Sequence, residues 1–315
     1  MGAGLPRWSA VIDELLDDLI LESGRVQDDP IEITADERTA IASSFFRRHA
    51  ASPLYAARYM RAAFGERFEQ RLAHAVYCPN NENCGTQTPP VLAAIARLCA
   101  GDRGFSSVVT YNYDDLLERA LDEDGVGFET LLSQRRQSNA LPIYHVHGWL
   151  PRDPVPSGTS ADSLLVFSEE RYHEIYARPE HWSNVVQLSL LRSNSCAFVG
   201  LSLQDPNLRR LLETAHQSPD CPPHYVFVRR TTPRELTDGV IPLRPAVADA
   251  LIRTHHRMQE KTLAELGLTV IWVDGHDELP DLLRSLAQPP SPSRLGPLQP
   301  QFVHTPVERL STQPE

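Results

Sequence analysis

Three short segments carry polar residues where a packing argument would not ask for them. In "VVTYNYDDLLERAL", residues 108–121, an apolar run stops at Thr110. Asn112, Asp114 and Asp115 then crowd a corner before a helical pattern begins at Leu116, Leu117, Ala120 and Leu121. In "IYHVHGWLP", His145 and His147 lie two apart, and so face one side if the strand persists that far. In "AFVGLSLQDPNL", Gly200 and Ser202 end an apolar run before Asp205 and Pro206 open a helix. Amides and carboxylates in such positions can hold a polar ligand. An imidazole, with an unperturbed pKa of about 6.5, can move a proton near neutrality.

Each segment also has a plainer reading. Asp115 with Glu118 fits a capping box, and acidic residues favour a helix N-terminus. Asn112 lies ahead of that cap and is explained less well by it. A strand-end histidine can be a satisfied structural group, and Gly200 with Asp205 can be a tight turn followed by a cap. A metal site is not expected. The two histidines would need a third and a fourth ligand, and Cys78 and Cys84 are too far apart for a C-x2-C knuckle with no second pair following.

The elements that must position these residues follow from the apolar periodicity. Residues 9 to about 100 read as successive helices. The first begins at Ser9 with apolar positions Val11, Ile12, Leu15, Leu16, Leu19 and Ile20; the next opens at Thr34 or Asp36 and runs through Phe46. Further helices are expected at 54–64, 66–77 and 90–99, the last with Pro90 in its first turn, and 78–90 reads as a loop. After Gly104 short apolar runs alternate with helices. Strands are expected at 105–111, 142–147, 164–167, 195–201, 224–229 and 268–273. Helices are expected at 114–123, 168–177, 182–193, 206–216, 246–266 and 278–287. That alternation predicts an α/β fold, a Rossmann-like parallel sheet with helices on both faces, with the successive helices ahead of it. In such sheets ligands bind beyond the carboxyl ends of the strands, where the three polar segments fall.

The 315 residues suffice for one large or two small domains, and 41% hydrophobic with 23% charged residues is ordinary for a globular chain. A formal net charge of −11 argues against nucleic-acid binding through bulk charge. There is no run of 18 apolar residues and no secretory signal pattern, so no membrane span is expected. Five cysteines (78, 84, 99, 196 and 221) form an odd, sparse set, which points to reduced thiols and a cytoplasmic location. Seven of the 26 prolines fall from Pro289 onward, in a tail expected to be disordered.

The three segments, in this order, resemble the sirtuin fold in its bacterial sirtuin-like branch. That branch's T-x-N-Y-D-x-L-[LF]-E segment appears here as Thr110, Asn112, Tyr113, Asp114, Leu116, Leu117 and Glu118. Its H-x-H-G appears as His145, His147 and Gly148, and its G-x-S-L-x-D segment within Phe198 to Leu208. A tyrosine-bearing helix at Val166–Tyr172, a late "HYVFV" strand and a final "VIWV" with "HDELP" also fit. The resemblance covers about 105 to 287. It implies residues 1–24 as a residual N-terminal segment of the NAD-binding domain, 25–104 as a helical insertion, making an inserted helical subdomain, 105–288 as the sirtuin-like domain and 289–315 as a Pro-rich tail.

The family opens with a strand and a G-A-G-x-S phosphate loop, followed by a G-L-P-x-W segment. Gly4, Leu5, Pro6, Arg7 and Trp8 match the second, and the Gly2–Gly4 run reads as the residues just ahead of it. On that reading the first strand and the phosphate loop are missing, the sheet lacks its central strand, and Met1 is a misassigned or shortened start. The resemblance further implies cleavage of NAD at its nicotinamide–ribose bond, often in antiphage defence. By it, His147 is the general base, Asn112 positions the ribose and a water, and Asp114 holds the nicotinamide amide. Thr110, Gly200, Ser202, Gly4 and Pro6 are the further cofactor-binding candidates. NAD is then substrate, no metal is implied, and a separate defence-system protein or a second copy of the chain is a possible partner. The four-cysteine zinc module of deacylating sirtuins is absent, which favours hydrolysis over deacylation. A non-catalytic NAD or ADP-ribose sensor is the first alternative, and an NAD-dependent protein deacylase the second.

Overall fold

A computed structural model of the chain describes residues 5, 8–25, 31–49, 53–78, 87–101, 104–153, 165–167, 169–236 and 244–287. Gly4, Pro6, Cys84 and the tail from 289 lie outside them.

The N-terminal part is helical. Helices α1 (Trp8–Arg25), α2 (Ala35–His49), α3 (Pro53–Phe64) and α4 (Phe68–Tyr77) fall where the 3.6-residue periodicity placed them. Thr34 rather than Asp36 opens α2. Its Oγ1 accepts from Glu37 N at 3.3 Å while Glu37 Oε2 accepts from Thr34 N at 2.9 Å, a reciprocal capping box. The apolar stripe of α1 (Val11, Ile12, Leu15, Leu16) packs with Ala57 and Met60 of α3 and Leu72 and Ala75 of α4 in one buried core.

The rest is built on parallel strands. Strands β1 (Val108–Thr110), β2 (Phe128–Leu131) and β3 (Leu141–His145) form one sheet in the order β1-β3-β2. Strands β4 (Ala197–Phe198), β5 (His224–Arg229) and β6 (Leu268–Val273) form a second in the order β4-β5-β6, and every pairing is parallel. Helices α5 (Pro90–Ala100), α6 (Leu116–Glu123), α7 (Glu169–Ala177), α8 (Trp182–Ser193), α9 (Pro206–His216), α10 (Pro233–Leu236), α11 (Pro245–Glu265) and α12 (Leu279–Ala287) complete the fold. The side-chain alternation of the strands distributes these helices over two faces. Ile143 and Phe227 pack toward α5, joined by α6 and α12 respectively. Tyr144 and Val226 face the other way, toward α8 and toward α9 with α11. Helices α5 and α8 each contribute to cores on both sheets, and so bridge them on opposite faces.

Between the sheets the edges of β1 and β4 do not pair. Among the described residues each is hydrogen-bonded to a neighbour on one side only, and the space between is a cavity lined by Val108, Val109, Ala197, Phe198 and Val199.

Three expectations need correction. Strand β2 was not anticipated, because its glutamate and threonine break the apolar run. Residues 165–167 form a turn, not a strand; Val166 N donates to His147 O at 2.8 Å, the segment's tie to the loop after β3. The expected strand at 195–201 is shortened to Ala197–Phe198, since Gly200 turns the chain with φ of 72°.

Candidate active site

The site is assembled by register. Thr110, last residue of β1, pairs with His145, last residue of β3, and Val146 N donates to Thr110 O at 3.2 Å. The two strands therefore leave the sheet side by side, and the loop residues after them are brought together. Asn112 comes just after β1, its backbone N donating to Thr110 Oγ1 at 3.1 Å, and its side chain is exposed. His147 comes just after β3, in a turn closed by Gly148 N donating to His145 O at 3.1 Å; Gly148 supplies the positive φ of 97°. Both residues line one cavity of about 1030 Å³, together with Thr110, Asp114 and Gly200. That is at the upper end of ligand-site volumes, roughly 300–1,000 Å³, and part of it is the apolar gap between the sheets.

The expected same-side arrangement of the two histidines does not occur. Strand β3 ends at His145, so the alternation stops before His147. His145 is fully buried and not in the cavity wall. Its Nδ1 lies 3.2 Å from the Asn112 carbonyl oxygen and its Nε2 2.6 Å from Glu118 Oε1.

The capping box at α6 is also absent. Asp115 occupies the cap position without a side-chain cap bond. Its carboxylate instead accepts from Tyr77 Oη at 3.2 Å and Arg152 N at 3.1 Å, and pairs with Arg119. Glu118 is turned to His145 and to Thr130, whose Oγ1 donates at 3.1 Å. The local bond at the start of α6 is made by Asp114, whose Oδ1 accepts from Leu116 N at 3.2 Å. Asp114 thus lines the cavity and turns the chain at once. Burial, reinforced by the Glu118 charge and opposed by the Leu116 amide and His145, raises its carboxyl above the usual range.

A residue read from sequence only as a turn and cap proves central. Asp205, N-cap of α9, accepts through Oδ1 from Asn207 N at 2.8 Å and from Tyr172 Oη at 2.6 Å. Its Oδ2 is buried without a closed hydrogen bond and stands 3.6 Å from His147 Nε2. Burial alone would raise this carboxyl. His147, the Tyr172 hydroxyl and the Asn207 amide outweigh burial and hold it below the usual aspartate range. Tyr111 sets its ring edge-on to His147, centroids 4.8 Å apart, and anchors its hydroxyl on Gln187. His147 is therefore bracketed by a carboxylate on one side and an aromatic ring on the other. The signal for Asp205 was its place just after a strand end, and for Tyr172 its place in the expected tyrosine-bearing helix.

Ser202 is exposed on the loop after β4 and outside the cavity wall, its Oγ accepting from Gln204 N at 3.4 Å. Gly200 is in the wall, and a Cβ built on it would meet nothing within 4 Å, so its backbone is open to a ligand. Among the described residues no group of three or more His, Cys, Asp or Glu is placed to hold a metal ion.

Parallel strands wound with helices on both faces, with polar residues gathered beyond adjacent strand ends, define an α/β protein with its candidate ligand site at the carboxyl ends of the strands. Comparison with known proteins makes this specific. Residues 106–242, the stretch that holds the three segments, match the SIR2-like domain family. The chain is also similar to a protein of Acinetobacter baumannii (strain 532279) named NAD(+) hydrolase ThsA, with 24% identity over 192 residues. That alignment takes in 58% of this chain and 36% of the relative, so the chain spans little more than a third of that protein's length.

Proposed function

We propose that this chain hydrolyses NAD to nicotinamide and ADP-ribose at the cavity between β1 and β4. The observation that carries the reading is the convergence of Asn112 and His147 on one cavity, with Asp205 behind the histidine. The SIR2-like match and the NAD(+) hydrolase activity for which the Acinetobacter relative is named support NAD as the substrate.

The chemistry suits the groups present. Cleaving the nicotinamide–ribose bond builds oxocarbenium-like charge on the ribose, and the pyridinium leaves as neutral nicotinamide without needing a proton. Water supplies the oxygen that bonds to the anomeric carbon and must give up one proton. With Nε2 of His147 turned to Asp205, the carboxylate favours the Nε2–H tautomer, leaving Nδ1 as the nitrogen that takes that proton. Asn112 would position the ribose and water. The Asp114 oxygen not engaged by Leu116 would receive the carboxamide N–H, and Gly200 would lie against the adenosine ribose. Thr110 and Ser202 stay candidates beside them, as do Gly4 and Pro6 for the phosphates. The resemblance extends the reading to antiphage defence, in which such turnover would deplete cellular NAD.

The test is release of nicotinamide and ADP-ribose from NAD, followed by mass, beside His147→Ala. Loss of a positioned base lowers turnover by about 10²–10⁴, so the variant should be nearly silent. ADP-ribose binding without turnover by either protein would replace this reading with that of a sensor. Turnover dependent on an acyl-lysine peptide would make the protein a deacylase.

A further inference from the structure

His145 and Glu118 are outside the cavity, yet they are tied to it. His145 has no exposed surface and Glu118 is nearly as buried. The imidazole bridges the Asn112 carbonyl, 3.2 Å from Nδ1, and Glu118 Oε1, 2.6 Å from Nε2. Both neighbours are acceptors. One proton must therefore sit on Nδ1, donated to Asn112 O, and a second between Nε2 and the carboxyl oxygen. The second neighbour fixes the first: only a ring whose Nε2 is engaged by Glu118 is held with Nδ1 facing Asn112.

Stability does not account for such a pair. Replacing a buried ion pair by apolar residues of similar volume is often neutral or stabilising. This pair also leaves Glu118 Oε2 buried with no hydrogen-bond partner. Its direct hydrogen bond to the site's wall holds the Asn112 backbone, just where the chain leaves β1 and has no further strand pairing to hold it.

We propose that His145 and Glu118 are positioning residues that clamp the Asn112 backbone and thereby aim its side chain at the substrate. The inference rests on the hydrolase reading for its kinetic consequence, not for its geometry. The pair acts through Asn112 and touches no reacting atom. A misplacement of about 1 Å in a positioning group can cost on the order of 10²-fold in rate, and that is the scale of effect expected.

The test is the double variant His145→Leu/Glu118→Leu, made in the full chain. Its melting temperature should stay near that of wild type, while kcat for nicotinamide release falls on the order of 10²-fold and KM moves far less. Glu118→Gln, whose amide N–H can donate to Nε2 and so keep the Nδ1–H bond to Asn112, should recover most of the kcat lost in Glu118→Leu. Wild-type kcat in a double variant that melts normally would overturn the proposal. So would a solvent-exchanging Nδ1 proton at His145 in isotope-labelled wild type, a readout that stands even if the double variant does not fold. If wild type releases no nicotinamide at all, the hydrolase reading fails. The clamp is then judged from the Asn112 side-chain amide resonances, which should shift when His145 and Glu118 are replaced and would refute the clamp by staying put.

Discussion

Asp205 shows how one carboxylate can serve structure and chemistry together. Oδ1 caps α9 and receives the Tyr172 hydroxyl, while Oδ2 is kept for His147. Because its carboxyl is held below the ordinary aspartate range, its charged form contributes stability above a pH of about 3.9, the ordinary aspartate value. That contribution is lost as pH falls through the lower folded value. Asp205→Asn keeps a capping side chain but loses the charge. It should lower the melting temperature at neutral and weakly acid pH, with the gap to wild type closing below the ordinary aspartate range. A gap that stayed open well below that range would contradict this assignment. The same variant should lower kcat more than it raises KM, because its effect reaches the reaction through the His147 tautomer.

At the scale of elements, the coupling between the helical part and the strand-end loop runs through Tyr77, the last residue of α4. Its hydroxyl accepts from Asp115 N at 3.1 Å and lies within bonding distance of Leu150 O at 2.8 Å and Asp115 Oδ1 at 3.2 Å. Burial first, and the nearby aspartate charges with it, push this phenol far above its ordinary range, so it stays a neutral donor. Tyr77→Phe keeps the ring but leaves the buried Asp115 amide without its acceptor. The expected cost is about 1–3 kcal/mol, read from denaturant unfolding, with a fall in NAD turnover as the Asn112–Asp115 loop loosens. A stability change within error would mean that the hydroxyl is dispensable and that another contact sets the loop.

At the scale of the whole molecule, two three-stranded sheets are held by helices rather than by each other. Strands β3 and β5 are central in their sheets, whereas β1 and β4 face the gap with one edge unpaired among the described residues. Backbone amides there should open with lower free energy. Hydrogen exchange should accordingly be slowest in β3 and β5 and faster in β1 and β4, and ADP-ribose should slow it most in β1 and β4. Binding at 100 times Kd would add about 2.7 kcal/mol of stability. Uniform protection across all six strands would show that the gap closes in solution.

Much of this was legible in the sequence because it depends on local periodicity and backbone chemistry. Helices α8 and α9 and strands β5 and β6 match their expected bounds, since their apolar spacing and the Asp205–Pro206 start admit few alternatives. The pairing of Asn112 with His147 was approachable too, because strand-end residues of a parallel sheet converge on one edge. What tertiary structure alone decided is where each polar side chain goes once several partners compete for it. Asp115 and Glu118 have the spacing of a cap, but a buried phenol and a buried imidazole claim them, and Asp114 makes the local bond instead. His145 and His147 differ by two positions, and only the end of β3 between them makes one a buried clamp and the other a wall of the cavity. Sequence spacing tells which partners lie within reach along one element. The desolvation of a polar group, and hence which partner it must find, depends on elements far away in the chain.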